Sequence, residues 1–261
     1  MIIDGHEHVI LPTKKQLELM DKAGVEKTVL FPTTPHPENA ETLEEFEEEF
    51  ARLRRLLGGK DAALQSERAE RANAELCSAL RAHPGRFLGF GLVPLGLPER
   101  ETCEFIERQI VANGLLGIGE ISPAGAENLA PLFAASESFG GLPIWFHTFD
   151  PVIEKELAGL GELCGHFPKA PVILGHMGGT NWGLAIRIAL VHPNVYLDLS
   201  AAFTVIAPKL AIKELPQRTL FSSDAPYGDP GLSRALVEEA SPDPATARLV
   251  LGENLRALLK L

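Results

Sequence analysis

The sequence predicts an eightfold α/β barrel. Strand-like and helix-like segments alternate from end to end, eight short apolar runs can be counted, and five of these runs finish in histidine or carboxylate residues. Its 261 residues match one such barrel and leave no room for a second full domain, so residues 1–261 are read as one unit.

The strand-like runs fall near 2–8, 25–32, 86–94, 115–122, 142–148, 171–177, 194–200 and 218–224. Helical periodicity occupies 13–23, 66–83, 99–113, 128–139, 152–166, 181–191, 204–214 and 231–240. A last helix is expected over 243–259, after the turn-forming Ser241-Pro242-Asp243-Pro244.

One crossover is too long, because residues 33–65 separate the second strand from its helix where a few residues would serve. Within this insert Leu43, Phe46, Phe50, Leu53 and Leu57 step by three and four and so share a helix face. Six glutamates between Glu41 and Glu49 and the later Arg52, Arg54 and Arg55 follow the helix dipole. Leaving the catalytic end of the barrel, this helix is expected to act as a lid or oligomer contact, or to pack on its own barrel with a solvated acidic side.

At the ends of the runs stand His6 and His8, Glu120, His147, His176 and Asp224. Side chains alternate along a strand, so His6 and His8 share a face. The same parity places Ile2 and Asp4 beneath them, Leu116 and Ile118 beneath Glu120, Pro143 and Trp145 beneath His147, Val172 and Leu174 beneath His176, and Leu220 and Ser222 beneath Asp224. Barrel enzymes carry their reacting groups at these C-terminal strand ends. Imidazoles and carboxylates are natural ligands of zinc and similar divalent ions. Six such groups in one pocket without a cation would leave buried charge uncompensated, which is costly.

Composition narrows the partners. Lys and Arg number 24 against 35 Asp and Glu, a net charge of -11, which repels nucleic-acid phosphates and anionic membrane surfaces. Small-molecule substrates are favoured, and a homo-oligomer is compatible. With no leader-like start and no uncharged stretch long enough to span a bilayer, a cytoplasmic protein is expected. Cys77, Cys103 and Cys164 are odd in number, lack Cys-x-x-Cys spacing and read as reduced, non-catalytic thiols.

The chain resembles the amidohydrolase superfamily, in its amidohydrolase 2 branch. The resemblance rests on Asp4-Gly5-His6-Glu7-His8, Asn73 with His83-Pro84-Gly85-Arg86-Phe87, Gly119-Glu120-Ile121, His147 and Leu174-Gly175-His176-Met177-Gly178-Gly179. It continues through Asn194 to Ser200, Ser223-Asp224-Ala225-Pro226-Tyr227 and Leu251-Gly252-Glu253-Asn254. The resemblance implies that the first-strand histidines, the fifth-strand histidine and the last-strand aspartate bind metal. It implies that His176 is a second-metal ligand or a proton shuttle. The fourth strand departs from the family pattern, since many members carry a carboxylated lysine there and many single-metal members carry no ligand. The Gly-Glu-Ile and Asp-Ala-Pro-Tyr runs are similar to TatD-like nucleases, in which such a carboxylate bridges two cations. One or two divalent ions, zinc foremost, are expected. The two-ion form puts His6, His8 and Asp224 on one ion, His147 and His176 on the other, and Glu120 between them. Alternatively Glu120 orients a ligand histidine.

The function expected is a hydrolase that uses a metal-activated water on a small ester, lactone or amide, with Asp224 and His176 as catalytic residues. The alternatives are a non-oxidative decarboxylase of a small carboxylated substrate and a non-catalytic metal-binding barrel. Asp4 is read as orienting a ligand or as a satisfied core acid, and Trp145 as the pocket floor or, more in keeping with a large aromatic in a barrel layer, as plain packing. Ser200 and Trp182 are read as pocket walls. His36 leaves the end of the second strand and is read as an exposed loop residue in preference to one that reaches the substrate, and His83, His166 and His192 are read as structural.

Overall fold

The computed structural model describes residues 1–57, 62–123 and 126–261, without the side chains of residues 53–57, 62–63 and 126–127. The side chains expected to extend the insert helix at Leu53, Arg54, Arg55 and Leu57 therefore lie outside the described residues.

Eight parallel strands form one sheet in sequence order: β1 (Ile3–His8), β2 (Lys27–Phe31), β3 (Phe87–Gly91), β4 (Gly117–Ile121), β5 (Ile144–His147), β6 (Val172–Gly175), β7 (Val195–Asp198) and β8 (Thr219–Leu220). This is a (β/α)8 barrel. The last strand is shorter than the sequence suggests, because only Thr219 and Leu220 pair with β7. Beyond them the chain runs along β1 instead: Gly5 N–H donates to Phe221, Asp224 N–H to His6, and His8 N–H to Ala225. These bonds close the barrel and bring the two ends of the sequence together at its mouth.

The crossover helices are α1 (Thr13–Ala23), α3 (Ala62–Ala82), α4 (Glu99–Gln109), α5 (Ala126–Ser138), α6 (Glu154–His166), α7 (Trp182–Val191), α8 (Ile206–Glu214) and α9 (Pro230–Ala240). α2 (Leu43–Leu57) is the helical insert after β2. Its Leu43 stays largely exposed and Phe46 partly so, while Phe46 and Phe50 stack at 5.7 Å. Local signals set the boundaries. Gly24 ends α1 in the left-handed conformation, and Asp229 caps α9 by accepting from Leu232 N–H, with Pro230 in the first turn.

The single helix expected over 243–259 is instead α10 (Pro244–Arg248), a wide turn at Leu249–Glu253, and α11 (Asn254–Leu259). The break falls where Gly252 lies against the start of β1. A Cβ there would stand 2.5 Å from the Met1 carbonyl oxygen, so a side chain would push the C-terminal segment off the barrel floor.

Two apolar layers hold the molecule. The inner one fills the barrel with Ile3, Val29, Phe31, Phe90, Trp145, Ile173 and Leu220, closed below by Leu255 of α11. The outer one packs strand residues such as Ile118, Val172 and Leu174 against the helices. Burial of such side chains supplies about 1.5–3 kcal/mol each relative to exposure.

These layers correct the parity expected from sequence. Trp145 lies beneath His147, and Leu220 and Ser222 beneath Asp224, as alternation requires. Ile3 and Gly5, not Ile2 and Asp4, point inward under the first-strand histidines. Ile173 and Gly175, not Val172 and Leu174, point inward under His176. On β4 Leu116 packs against the inner layer as expected, whereas Ile118 belongs to the outer one. The cause is local irregularity: pairing slips between Asp4 and Glu7 on β1 and between Ile118 and Ile121 on β4. After β6 the chain turns at His176 and Met177 with φ of 58° and 49°. Each slip swings a polar side chain inward that strict alternation would have sent outward.

Candidate metal centre

His6 and His8 close β1, Glu120 sits on β4, His147 ends β5, His176 follows β6 and Asp224 follows β8. All six converge at the C-terminal mouth of the barrel. The Glu120 carboxylate lies at the middle. Its Oε2 is 3.7 Å from His6 Nε2 and 3.9 Å from His8 Nε2, and its Oε1 is 3.2 Å from both His147 Nδ1 and His176 Nε2. Asp224 Oδ1 stands 3.3 Å from His8 Nε2 and 3.8 Å from His6 Nε2.

These separations suit a shared cation. Ligand atoms about 2.1 Å from a tetrahedral ion stand about 3.4 Å from one another. Three overlapping triads have all their ligand atoms within 4.8 Å: His6, His176 and Asp224; His6, His8 and Glu120; and Glu120, His147 and His176. His6 Nε2 and Asp224 Oδ1 are buried without a hydrogen-bond partner, and both face this point. Four imidazoles and two carboxylates form a donor set that fits a divalent ion such as zinc or manganese.

The electrostatics show how tightly the groups are coupled. Burial favours neutral His6, yet the carboxylates of Glu120, Asp198 and Asp224 outweigh it and push the imidazole up to about 10. Burial likewise opposes charge on His147, but Glu120 pushes it up to about 9. Despite their own burial, Glu120 is held well below the usual carboxylate range by His147, His6 and His176, and Asp224 is lowered by His176, His8 and His6. A cation held in these positions would take over the role of the imidazolium charges.

A second set of groups orients the first. His6 Nδ1–H donates to Asp198 Oδ2 at 2.8 Å, which leaves Nε2 facing the centre. Trp145 Nε1–H donates to the same oxygen at 3.0 Å, and Ser200 N–H donates to Asp198 Oδ1 at 2.6 Å. Ser200 Oγ lies 2.8 Å from His176 Nδ1, and the Asp150 carbonyl accepts from His147 Nε2–H at 3.0 Å. Asp4 Oδ1 accepts from the His6 and Ser223 amides, tying β1 to the β8 end. Behind β1 the buried Glu7 accepts from Gln16 Nε2 at 2.7 Å, and its burial pushes the carboxyl up to about 7.

Sequence reasoning missed Asp198 as a site residue. The signal was present, since Asp198 ends the apolar run Val195-Tyr196-Leu197 just as the other site residues end theirs. Trp145 is fully buried in the inner layer, and Ser200 serves as a hydrogen-bond partner of His176. Trp182 is half-buried and packs against the outer core. His36 departs from its expectation. Its ring is mostly covered, with Nδ1 3.0 Å from Glu38 and Nε2 3.6 Å from Glu75, and its backbone N–H donates to Glu49 at 3.0 Å. His83 Nε2 bonds Thr13 Oγ1 at 2.9 Å, a structural contact as expected, and the three cysteines are free thiols. Among the described residues no helix is long and apolar enough to cross a membrane.

A family model described as amidohydrolase matches residues 3–261. No curated protein matches the sequence. Among solved structures, the chain is similar to 2,6-dihydroxybenzoate decarboxylase from Rhizobium, with 19% identity, TM-score 0.75, and 99% of this chain and 98% of that chain covered. It is also similar to 5-carboxyvanillate decarboxylase from Sphingomonas paucimobilis, with 17% identity, TM-score 0.74, and coverage of 100% and 99%. A third is a dihydroxybenzoic acid decarboxylase from Polaromonas sp. JS666, solved with manganese and 2-nitroresorcinol bound, with 19% identity, TM-score 0.75, and coverage of 100% and 97%.

Proposed function

Since this chain belongs to the amidohydrolase family, we propose that it is a metal-dependent hydrolase of a small ester, lactone or amide. The observation that carries this reading is the placement of Glu120, which offers one carboxylate oxygen to His6 and His8 and the other to His147 and His176. His6, His8 and Asp224 would hold one ion and His147 and His176 a second, with Glu120 serving both. Divalent cations bound there would polarise a substrate carbonyl and sharpen water as a nucleophile near neutral pH.

The chain's own groups supply the rest. Asp198 fixes the His6 ring and Ser200 the His176 ring, so neither must be ordered during the reaction. Asp224, held as a carboxylate at the mouth, can take a proton from attacking water and return it to the leaving group. Asp224→Asn keeps the shape and removes that base. In zinc-reconstituted protein assayed against a panel of esters, lactones and amides in 18O-labelled water, the label is expected in the acid product. Asp224→Asn is expected to lower turnover by about 10²–10⁴-fold with the fold intact. Near-normal turnover of the variant counts against this role.

A second reading is a decarboxylase of a small carboxylated aromatic, favoured because the similar structures above are decarboxylases over nearly their whole length. Release of labelled carbon dioxide from carboxyl-13C 2,6-dihydroxybenzoate, with no ester, lactone or amide hydrolysed, would select it.

A further inference from the structure

We propose that Tyr227 is a further catalytic residue, whose hydroxyl donates a hydrogen bond to the substrate oxygen on which negative charge gathers. This deepens the hydrolase reading above and rests on the metal centre at the mouth.

Tyr227 shares a short turn with Asp224. Gly228 N–H donates to the Asp224 carbonyl at 3.0 Å, and His8 N–H donates to the Ala225 carbonyl at 2.7 Å, so the turn is closed on itself and tied to β1. A Cβ on Gly228 would collide with the Ser223 carbonyl oxygen, which keeps the turn tight, and Asp229 directly after it caps α9. Tyr227 therefore has a fixed place beside the carboxylate that takes the water's proton.

Its ring meets His8 edge-on, with centres 5.8 Å apart and planes at 90°. Among the described residues His8 Nδ1 is buried without a hydrogen-bond partner, whereas His6, His147 and His176 are each held by one, so ring packing orients His8. The Tyr227 hydroxyl is free of that task. Among the described residues nothing accepts from it, and the residue is 40% exposed. Burial raises the phenol above its usual range, and the carboxylates of Asp224, Glu38, Glu120 and Glu49 raise it further. It thus lies within electrostatic reach of both the centre and the insert. Other donors near the centre are committed: His6 Nδ1–H and Trp145 Nε1–H to Asp198, and His147 Nε2–H to the Asp150 carbonyl.

In this arrangement the water oxygen adds to the substrate's carbonyl carbon, the π pair moves onto the carbonyl oxygen, and the water's proton passes to Asp224. Tyr227 keeps its own proton and shares it with that oxygen. When the pair returns, the bond to the leaving group breaks and Asp224 gives the leaving group the proton.

The test compares Tyr227→Phe with the parent, both zinc-reconstituted, because the change removes one oxygen and keeps the ring on His8. On the ester, lactone or amide that the parent turns over fastest, kcat is expected to fall about 10²–10³-fold, with KM and zinc content held within about twofold. A kcat within about threefold of the parent's, a loss carried by KM alone, or a loss of zinc overturns the assignment. Calorimetric titration with methylphosphonate, a tetrahedral oxyanion that is not cleaved, reads the same hydrogen bond without turnover. Tyr227→Phe should bind it about tenfold more weakly, and equal affinities, or a parent that does not bind it, overturn the donor. A parent that hydrolyses nothing on the panel but keeps the tenfold methylphosphonate difference removes the hydrolase reading and supports the donor.

Discussion

Asp198 accepts from His6, Trp145 and Ser200 at once, so its exchange for asparagine turns an amide N–H2 toward donors that need an acceptor. Asp198→Asn should weaken zinc affinity by about 10–100-fold in a chelator competition, because the His6 ring loses its fixed tautomer and direction. Unchanged affinity would contradict a positioning role. The six mouth residues were legible from sequence because chemistry-bearing side chains ended apolar runs. Asp198 shows the same signal but was hidden within a motif. The environment of His36 was not legible, since Glu38, Glu49 and Glu75 reach it from a loop and two different helices. Its hydrogen bond to Glu38 raises His36, and despite burial of the carboxyl the same bond lowers Glu38. A raised histidine stabilises the fold below its unfolded value of about 6.5 and loses that contribution as pH rises through its folded value. A lowered glutamate stabilises above its unfolded value of about 4.3 and loses it as pH falls through its folded value. Glu38→Gln should therefore depress Tm most between about pH 4.5 and 6.5 and least at the acid and alkaline ends. A Tm difference that does not vary with pH would refute the pairing.

At the scale of elements, strand count and order followed directly from the alternation of apolar runs and amphipathic helices. Facing did not. Alternation predicts the interior of β5 and β8, where Trp145 and Leu220 lie inward, and fails on β1, β4 and after β6. Those failures are the places where a bulge or a left-handed turn aims a site residue, so the departures from regular strand geometry coincide with the chemistry. The His176–Asn181 turn is the sharpest case. Gly179→Ala must distort a backbone with positive φ and displace Phe149, and is expected to cost about 1–3 kcal/mol in denaturant unfolding. An unfolding free energy equal to that of the parent would show that the turn tolerates a side chain. The continuous last helix was misread for a comparable reason: the close approach of Gly252 to Met1 is a contact between opposite ends of the chain.

For the molecule as a whole, one barrel brings residues separated by more than two hundred positions together, His6 Nε2 and Asp224 Oδ1 standing 3.8 Å apart. Eight strands that each place a backbone end at the same rim explain why ligands spread from His6 to Asp224 can meet without any local sequence motif joining them. The central claim is that this meeting point holds cations. The most direct measurement is an anomalous-difference map from crystals of zinc-replete protein, recorded at the zinc absorption edge. Two peaks are predicted, one among His6, His8 and Asp224 and one beside His147 and His176, with Glu120 between them. A map with no peak at the barrel mouth would contradict the metal centre, and a single peak there would contradict the bridging role of Glu120.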